Sequence, residues 1–526
     1  MSEIVENNPG NYHQANCPCC GGNHNQQPGD MTRRKFVRMT GTSAIGTVAL
    51  SGLSWSMIRS WQEGEKIFNR RRPLVVKPVL TYEIPQRRSQ TSWRNWGGIQ
   101  TEKEAADEAG RIQEELNSLK SRADFPLSFL PLTSVKTVQD INQVNDLGSA
   151  DLFLVYPAGG GMNMFDVLNK MGKDIIFFCR QKSGPVYLWY EIISPRYLRQ
   201  HTDSLKVTGI DEADVVIDSQ DELLWRLRAL CGLRNTISSK ILTIGGAGAW
   251  SQPPAISMKH VSERYKLDIH DVSYEELGKL ITEAKAEKSV VNNAESKADE
   301  YLKDSGVKLE TDRKFVENCF ILEAILIGLM EKFSCRAVTI NNCMGTIMPL
   351  AETTACLTLS LLNDAGYLAF CESDFIVIPA GVLMANISGK PSFLNDPTYP
   401  HDKIITLAHC TAPRRMDGKT FAPARILTHF ESDYGAAPKV EMKIGQEVTN
   451  IIADFEFKRY VGLPGRIKDN PFLAICRSQI DVGYECESMK VAEQMQGFHW
   501  ITTYGNYLRE AEYALKKIGI NFENLG

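Results

Sequence analysis

The chain has 526 residues, more than one ordinary hydrophobic core accommodates, so two or three domains are expected. A hydrophobic content of 43% and a charged content of 23% are typical of a globular protein. A net charge of −4 gives no electrostatic basis for binding nucleic acid, and the body of the chain has no uncharged apolar stretch of membrane-spanning length.

The first 72 residues are predicted to be a leader. Residues 1–32 are polar and rich in Asn, Gly and Gln, which indicates disorder. Arg33 and Arg34 then precede a weakly apolar segment, residues 39–58, as in a twin-arginine export signal. The part before the arginines is long for such a signal, and no Ala-x-Ala cleavage site follows. We predict export to the periplasm by the twin-arginine machinery, with a basic tail on a cytoplasmic protein as the alternative.

Cysteines fall into two groups. The first group could bind zinc and consists of Cys17, Cys19 and Cys20 with His24. Its residues are very closely spaced and no second CxxC pair is present, so the indication of a zinc site is weak. A redox protein that used them would lose activity on removal of residues 1–60. The overall density of thirteen cysteines is too low for a disulfide scaffold. We predict buried, reduced thiols for the cysteines that lie in apolar runs, namely Cys319, Cys343, Cys356 and Cys371.

From residue 73 onward strands and helices alternate, which predicts layered α/β domains. We expect two Rossmann-like α/β domains, residues 73–213 and 214–375. The predicted strands are Leu74–Leu80, Leu127–Pro131, Asp151–Tyr156, Asp174–Cys179, Val215–Ile217, Lys240–Ile244 and Ala337–Ile340. The predicted helices are Glu102–Arg122, Asp221–Leu233, Ser273–Lys285, Asn292–Lys303 and Phe315–Phe333.

Two glycine-rich loops, Ala158–Gly161 and Gly245–Trp250, follow predicted strands. Open parallel sheets bind ligands beyond the carboxyl ends of their strands, where both loops lie. The second loop runs into Pro253 and Pro254 with no evident helix start, and no complete dinucleotide fingerprint is present. We interpret it as a sharp turn rather than a nucleotide site.

Residues 376–526 are predicted to form a β-rich, barrel-like domain, entered through an apolar helix, Phe375–Asn386, interrupted near Pro379. Short runs separated by Gly, Pro and Asp have the spacing of β-hairpins. The predicted strands are Ile404–Ala408, Ala424–Phe430, Val440–Ile444, Thr449–Phe457 and Phe472–Arg477, and the last helix is Tyr507–Ile518.

The segment 371–410 carries the most informative chemistry. It begins with Glu372 and Asp374 and ends with Asp396 and His409. Carboxylates at both ends of a buried element can face one point, and two acids with an imidazole suit a hard or borderline divalent metal. Singly, each of these residues is as readily a cap, a turn residue or a packed core side chain.

Two blocks resemble a known superfamily. TINNCMGTIMPLAETTACLTLSLLNDAGYLAFCESDF, which ends at Phe375, and GFHWITTYGNY, which contains His499, resemble the L-fucose isomerase and L-arabinose isomerase superfamily in its fucose-isomerase-like branch. The resemblance spans roughly residues 73–526 and is specific only in these blocks. In that family a Glu and an Asp 24 residues apart bind Mn²⁺ with a late histidine, which would here be Glu372, Asp396 and His499.

The resemblance implies α/β domains before a barrel-like domain, Mn²⁺ or another divalent metal, and a homo-oligomer, a trimer or hexamer with sites between subunits. At two positions this chain combines a feature of the fucose isomerases with a feature of the arabinose isomerases. Arabinose isomerases carry the second carboxylate one position earlier, where this chain has Asn395, and they use a histidine that matches His409. The metal set and the sugar therefore stay open, and export is unexpected for a family that works in the cytoplasm.

An aldose–ketose isomerase moves a proton between C1 and C2 of an open-chain sugar, or epimerises it, through an enediolate. A metal acts as Lewis acid and a carboxylate of raised pKa acts as base. The predicted catalytic residues are Glu372 and Asp396, which with His499 are also the metal ligands; His409 and Arg414 are predicted to bind the sugar. The alternative is a non-catalytic carbohydrate-binding or scaffold protein on the same fold, because fold does not define function.

Overall fold

The computed structural model of the protein describes residues 71–86, 89, 98–248 and 253–526. The predictions about the leader, including Arg33, Arg34 and the cluster of Cys17, Cys19 and Cys20, lie outside these ranges. Within the described residues no single helix is long and apolar enough to cross a membrane, although the bent helix pair 343–351 and 355–364 meets that test by length and composition.

The described strands fall into four sheets. In chain order they are β1 (Leu74–Thr81), β2 (Leu127–Phe129), β3 (Thr133–Val135), β4 (Leu152–Pro157), β5 (Asp174–Cys179), β6 (Val215–Ile217), β7 (Lys240–Ile244), β8 (Asp268–Val272), β9 (Val307–Leu309), β10 (Ala337–Ile340), β11 (Leu368–Cys371), β12 (Phe393–Pro397), β13 (Ile404–His409), β14 (Ala424–Leu427), β15 (Ala437–Val440), β16 (Glu447–Ile452), β17 (Arg459–Asp469), β18 (Ser478–Gly483), β19 (Trp500–Tyr504) and β20 (Asn521–Asn524).

The α-helices that connect and cover these strands vary from one turn to about six turns. In chain order they are α1 (Glu102–Arg122), α2 (Val138–Asn142), α3 (Met162–Asn169), α4 (Trp189–Ile192), α5 (Gln220–Thr236), α6 (Pro254–Arg264), α7 (Tyr274–Ala286), α8 (Lys288–Lys303), α9 (Arg313–Phe333), α10 (Met348–Ala351), α11 (Ala355–Asp364), α12 (Ile378–Ser388), α13 (Ser488–Glu493) and α14 (Leu508–Lys517).

The first sheet is parallel, in the order β2-β1-β4-β5-β6, with β3 beside β1. The mostly apolar strands β1, β4 and β5 were predicted from their composition, and the structure confirms them. The predicted boundary at residue 213 needs correction. Val215–Ile217 pairs with Phe177–Cys179, so β6 extends the first sheet and does not begin the second unit.

The second sheet is parallel, in the order β11-β10-β7-β8, so the carboxyl ends of its strands lie at one edge. Its strand β8 was not predicted because its sequence, DIHDV, is mostly polar. A helix does follow the glycine-rich loop, contrary to prediction: α6 begins at Pro254. Proline suits the first helical position, since its missing N–H has no partner there and its φ is already helical.

The carboxyl-terminal region contains a closed barrel of six antiparallel strands, in the order β16-β19-β12-β13-β18-β17, and pairing of β16 with β17 closes it. This confirms the predicted barrel. Phe472–Arg477, however, is not a strand in the structure, because pairing with β13 begins only at Ser478. Strand β15 ends at Val440, where a strand was predicted to begin. Strand β14 pairs with β15 and with β9 in a separate small sheet.

Helix α12 joins the units. All of its residues are buried, and it packs against α5, where a Cβ on Gly232 would lie 2.3 Å from a side-chain carbon of Ile387. Only glycine permits this close approach. The predicted interruption at Pro379 is instead a helix start, since Pro379 occupies the first turn. This helix and β11 bring the barrel against the second sheet.

A buried carboxylate in this region makes stability depend on pH. Asp364, at the end of α11, is 4% exposed, and burial raises its pKa to about 7 despite the Arg415 N–H that it accepts. Because this pKa is above its unfolded value, the folded state binds more protons between about pH 4 and pH 7, so stability falls as the pH rises through that window. Asp364→Asn should remove this dependence and raise the melting temperature at pH 8 by about 2–4 °C.

The measurement is the melting temperature from pH 4 to pH 8, with the exposed Asp203→Asn as the control. At pH 4 the variant and the wild type should differ little. Parallel pH profiles for wild type and Asp364→Asn would contradict the prediction.

Candidate metal centre

Four of the predicted site residues meet where the second sheet faces the barrel. Glu372 directly follows β11, while Asp396 lies in β12, His409 ends β13 and His499 directly precedes β19. The three barrel strands are neighbours, in the order β19-β12-β13. Asp396 pairs with Ala408, and Asn395 pairs with Trp500, so the two histidines fall on either side of Asp396.

The distances place these side chains around one point. Nε2 of His499 is 3.1 Å from Oε2 of Glu372 and 3.3 Å from Oδ1 of Asp396. Nε2 of His409 is 3.8 Å from Oε1 of Glu372. Ligand atoms of Asp396, His409 and His499 all lie within 4.8 Å of one another. The spacing noticed in the sequence thus corresponds to spatial convergence.

The backbone that presents Glu372 is held in an unusual conformation. Glu372 and Ser373 have φ values of +63° and +47°, a region that costs energy for residues other than glycine. Gly248, from the loop after β7, donates its N–H to the Ser373 carbonyl at 3.0 Å and accepts from Phe375 N–H at 3.2 Å. The glycine-rich loop therefore supports the segment that carries Glu372.

Asp374 has a role that the sequence analysis missed. It was left out of the predicted site, yet its Oδ2 lies 2.8 Å from Nδ1 of His499 and its Oδ1 accepts the Ile376 N–H at 3.0 Å. A carboxylate on the far nitrogen of a histidine orients the ring and directs the other nitrogen toward a metal. The sequence did carry a signal for this role, because Asp374 is an acidic residue at the start of the apolar run that follows Glu372.

The structure shows which of Asn395 and Asp396 faces the cluster, and whether His409 reaches it. Asn395 turns away from the cluster, and its amide donates to Thr502 Oγ1 at 2.9 Å and to the Phe393 carbonyl. Successive residues of a strand face opposite sides, so Asp396 is the residue that faces the cluster. His409 also reaches it, with Nδ1 held 3.0 Å from Thr411 Oγ1.

Attraction between the carboxylates and the imidazoles sets the protonation of the cluster. Burial acts to lower the pKa of His409, but Glu372 and Asp396 outweigh it and raise that pKa to about 9. For His499, burial also acts downward, yet Asp374 and Glu372 raise its pKa well above the usual value. Burial raises the pKa of Asp396 to about 6, and it acts upward on Glu372 too, where the two imidazoles nevertheless keep the pKa below its usual range. Two carboxylates are thus balanced by positive charge, which a divalent cation can replace.

The bonding of these residues fits a divalent metal. Within the described residues, Glu372 Oε2, Asp396 Oδ1 and His409 Nε2 are buried, and their contacts with the oppositely charged groups of the cluster do not have hydrogen-bond geometry. Buried polar atoms without good hydrogen bonds are costly, and a shared cation would satisfy all three. The Cys371 thiol lies within 4.8 Å of ligand atoms of Glu372 and His409 and borders the same site. Asp396 is the most open of these side chains, at 18% exposure.

Arg414 is not brought to this cluster. Its guanidinium donates to Asp304 Oδ2 at 2.7 Å and to the Ala422 carbonyl at 2.8 Å, and it lies over the Phe421 ring. At 2% exposure it is a buried structural arginine that joins the loop after β13 to the end of α8. The predicted role in sugar binding has no support from this position.

No protein-family profile matches this chain, and a search of curated proteins found no match. The resemblance to the isomerase superfamily therefore depends on the two sequence blocks alone.

Proposed function

We propose that this chain is a divalent-metal-dependent enzyme that isomerises or epimerises open-chain sugars at C1 and C2. The observation that carries the proposal is the convergence of Glu372 and Asp396 on Nε2 of His499, at 3.1 and 3.3 Å. Two carboxylates and an imidazole suit Mn²⁺, which prefers oxygen ligands and accepts imidazole. The same three residues are the ones that the family resemblance selects as metal ligands.

Each residue of the site has a role in this proposal. Glu372, Asp396 and His499 hold the metal, which when bound supplies Lewis-acid polarisation of the sugar oxygens. Glu372 and Asp396 also carry a proton between C1 and C2. Asp396 suits this task because it is the most open carboxylate of the cluster, with 18% of its side chain exposed, and can therefore reach a bound sugar. His409 donates a hydrogen bond from Nε2 to a sugar hydroxyl or serves as a fourth ligand.

The test follows hydrogen at C2. Protein reconstituted with Mn²⁺ is incubated in D₂O with a panel of aldoses that includes L-fucose and L-arabinose, and deuterium at C2 and the appearance of ketose are followed by NMR. We expect exchange in the wild type and a rate about 10²–10⁴-fold lower in Asp396→Asn, the range for loss of a general base. The matched control is Asp481→Asn in β18, whose carboxylate accepts from Thr406 outside the cluster.

The outcomes separate the alternatives. A protein that binds Mn²⁺ and a sugar without exchange at C2 would indicate the non-catalytic carbohydrate-binding function. A folded protein that does not bind Mn²⁺ would contradict the metal-dependent mechanism, as would unchanged activity in Asp396→Asn.

Three broader proposals accompany this function. Both parallel sheets are proposed to be Rossmann-like units, supported by strand orders of the doubly wound type, with the first strand of each sheet beside the second and a later strand. Export by the twin-arginine machinery through Arg33 and Arg34 is proposed from sequence alone. Assembly as a trimer or hexamer is proposed from the family resemblance.

A further inference from the structure

A second cluster of metal-ligating side chains lies beyond the end of β13, apart from the carboxylates of the first site. Ligand atoms of Cys356, Cys410 and His429 lie within 4.8 Å of one another. The Cys476 side chain packs against Cys410 in the same small buried group. All four residues are between 2% and 4% exposed.

The four residues come from separate parts of the chain. Cys356 lies in the first turn of α11, Cys410 follows β13, and His429 and Cys476 lie in the loops after β14 and before β18. The surroundings are small and apolar, since Ala408 and Ala437 complete the group. Three sulfur atoms and one imidazole from four buried segments form the ligand set of a closed structural zinc site.

The imidazole has the support that a metal-binding histidine needs. Nδ1 of His429 is 3.3 Å from Ser432 Oγ, and Nε2 is 3.3 Å from Glu431 Oε2. Whichever nitrogen binds a metal, the other has a hydroxyl or carboxylate to fix the ring. Cys410 Sγ also accepts the Arg477 N–H at 3.4 Å, as metal-bound thiolates commonly accept backbone N–H groups.

We propose that Cys356, Cys410, Cys476 and His429 bind one structural Zn²⁺. Tetrahedral bonds of about 2.0–2.3 Å to zinc place ligand atoms roughly 3.3–3.8 Å apart. The ligand atoms of Cys356, Cys410 and His429 already lie within 4.8 Å of one another. The ion joins α11 of the second α/β unit to three segments around the barrel. Sulfur ligands select zinc here, whereas the oxygen-rich first site selects Mn²⁺, so the protein holds two different metals.

The zinc site also has a consequence for the first site. Cys410 directly follows His409. Ala408 lies in β13, which pairs with both β12 and β18; it is the pairing partner of Asp396 and also packs in the cysteine group. A metal that holds Cys410 fixes the end of β13 and with it the position of the His409 ring. Zinc therefore acts as a positioning element and takes no part in proton transfer.

The test measures metal content and ligand type in the full chain. Protein expressed with zinc and manganese is dialysed against a mild chelator and analysed by inductively coupled plasma mass spectrometry. We expect stoichiometric zinc in the wild type and in Glu372→Gln. Zinc affinity should fall at least about 100-fold in Cys356→Ala and in His429→Gln. Loss of a residue that only supports a metal ligand already costs up to about 100-fold, so loss of a ligand should cost at least as much. The matched control is Cys319→Ala, a buried thiol that lies against Thr353 outside the cluster.

Cobalt substitution of the wild type keeps the proposal testable if a variant does not fold. Co²⁺ bound by three thiolates gives intense sulfur-to-metal charge-transfer bands, whereas Co²⁺ held by Glu372, Asp396 and His499 gives none. Wild-type protein that folds without zinc and shows no such bands would overturn the proposal. So would zinc bound with wild-type affinity in Cys356→Ala, or a Cys356–Cys410 disulfide in protein purified with zinc present. None of these outcomes bears on Mn²⁺ binding, so the proposed function is judged separately.

Discussion

Glu372→Gln is expected to weaken Mn²⁺ binding by at least about 100-fold and to lower the rate of C2 proton exchange by about 10²–10⁴-fold. The glutamine keeps the size and the backbone conformation of Glu372 but loses the negative charge that faces both His409 and His499. Without that charge, one metal ligand becomes a neutral amide and the two imidazoles lose a partner. Calorimetric titration with Mn²⁺ and the NMR exchange assay measure the two effects.

The control for this substitution is Glu323→Gln. Glu323 is also a buried glutamate, 6% exposed, but it pairs with Lys297 on α8. Its loss should leave Mn²⁺ affinity unchanged even if stability falls. A Glu372→Gln protein with wild-type Mn²⁺ affinity would exclude Glu372 as a ligand.

Asp374→Asn is expected to weaken Mn²⁺ binding by about 10–100-fold while the protein stays folded. The carboxylate holds Nδ1 of His499 at 2.8 Å and leaves Nε2 to face Glu372 and Asp396. An amide in this place can donate to Nδ1 and favour the tautomer with the proton on Nε2, which blocks the metal-binding nitrogen. Asp374 is thus a positioning residue, with no contact to the sugar in this mechanism.

Two melting temperatures distinguish this role from a purely structural one. The stabilisation by saturating Mn²⁺ should shrink in Asp374→Asn because it depends on affinity, while the metal-free melting temperature should change much less. The His499 tautomer, read from ¹⁵N chemical shifts, should change as well. A variant that lost stability without metal but bound Mn²⁺ normally would show that Asp374 only supports the fold.

Much of the local structure was predictable because its signals lie within each segment. Helix α1 has the predicted bounds, since Thr101 caps its first turn and charged residues suit both ends. The buried strands β4 and β5 are recognisable as short apolar runs. The predicted thiols, Cys319, Cys343, Cys356 and Cys371, are indeed free and buried. The start of α6 was missed because a proline can mark either the first turn of a helix or a loop.

The sequence by itself determined the classes of element and the barrel-like end of the chain, and its resemblance to the isomerase superfamily singled out Glu372, Asp396 and His499. Only the tertiary structure decided that Asp374 belongs with them and that Arg414 does not. The physical reason is that ligand sets depend on which strands pair and in what register, and this depends on contacts between residues far apart in the chain. The pairing of β12 with both β13 and β19 is what brings the two histidines to Asp396.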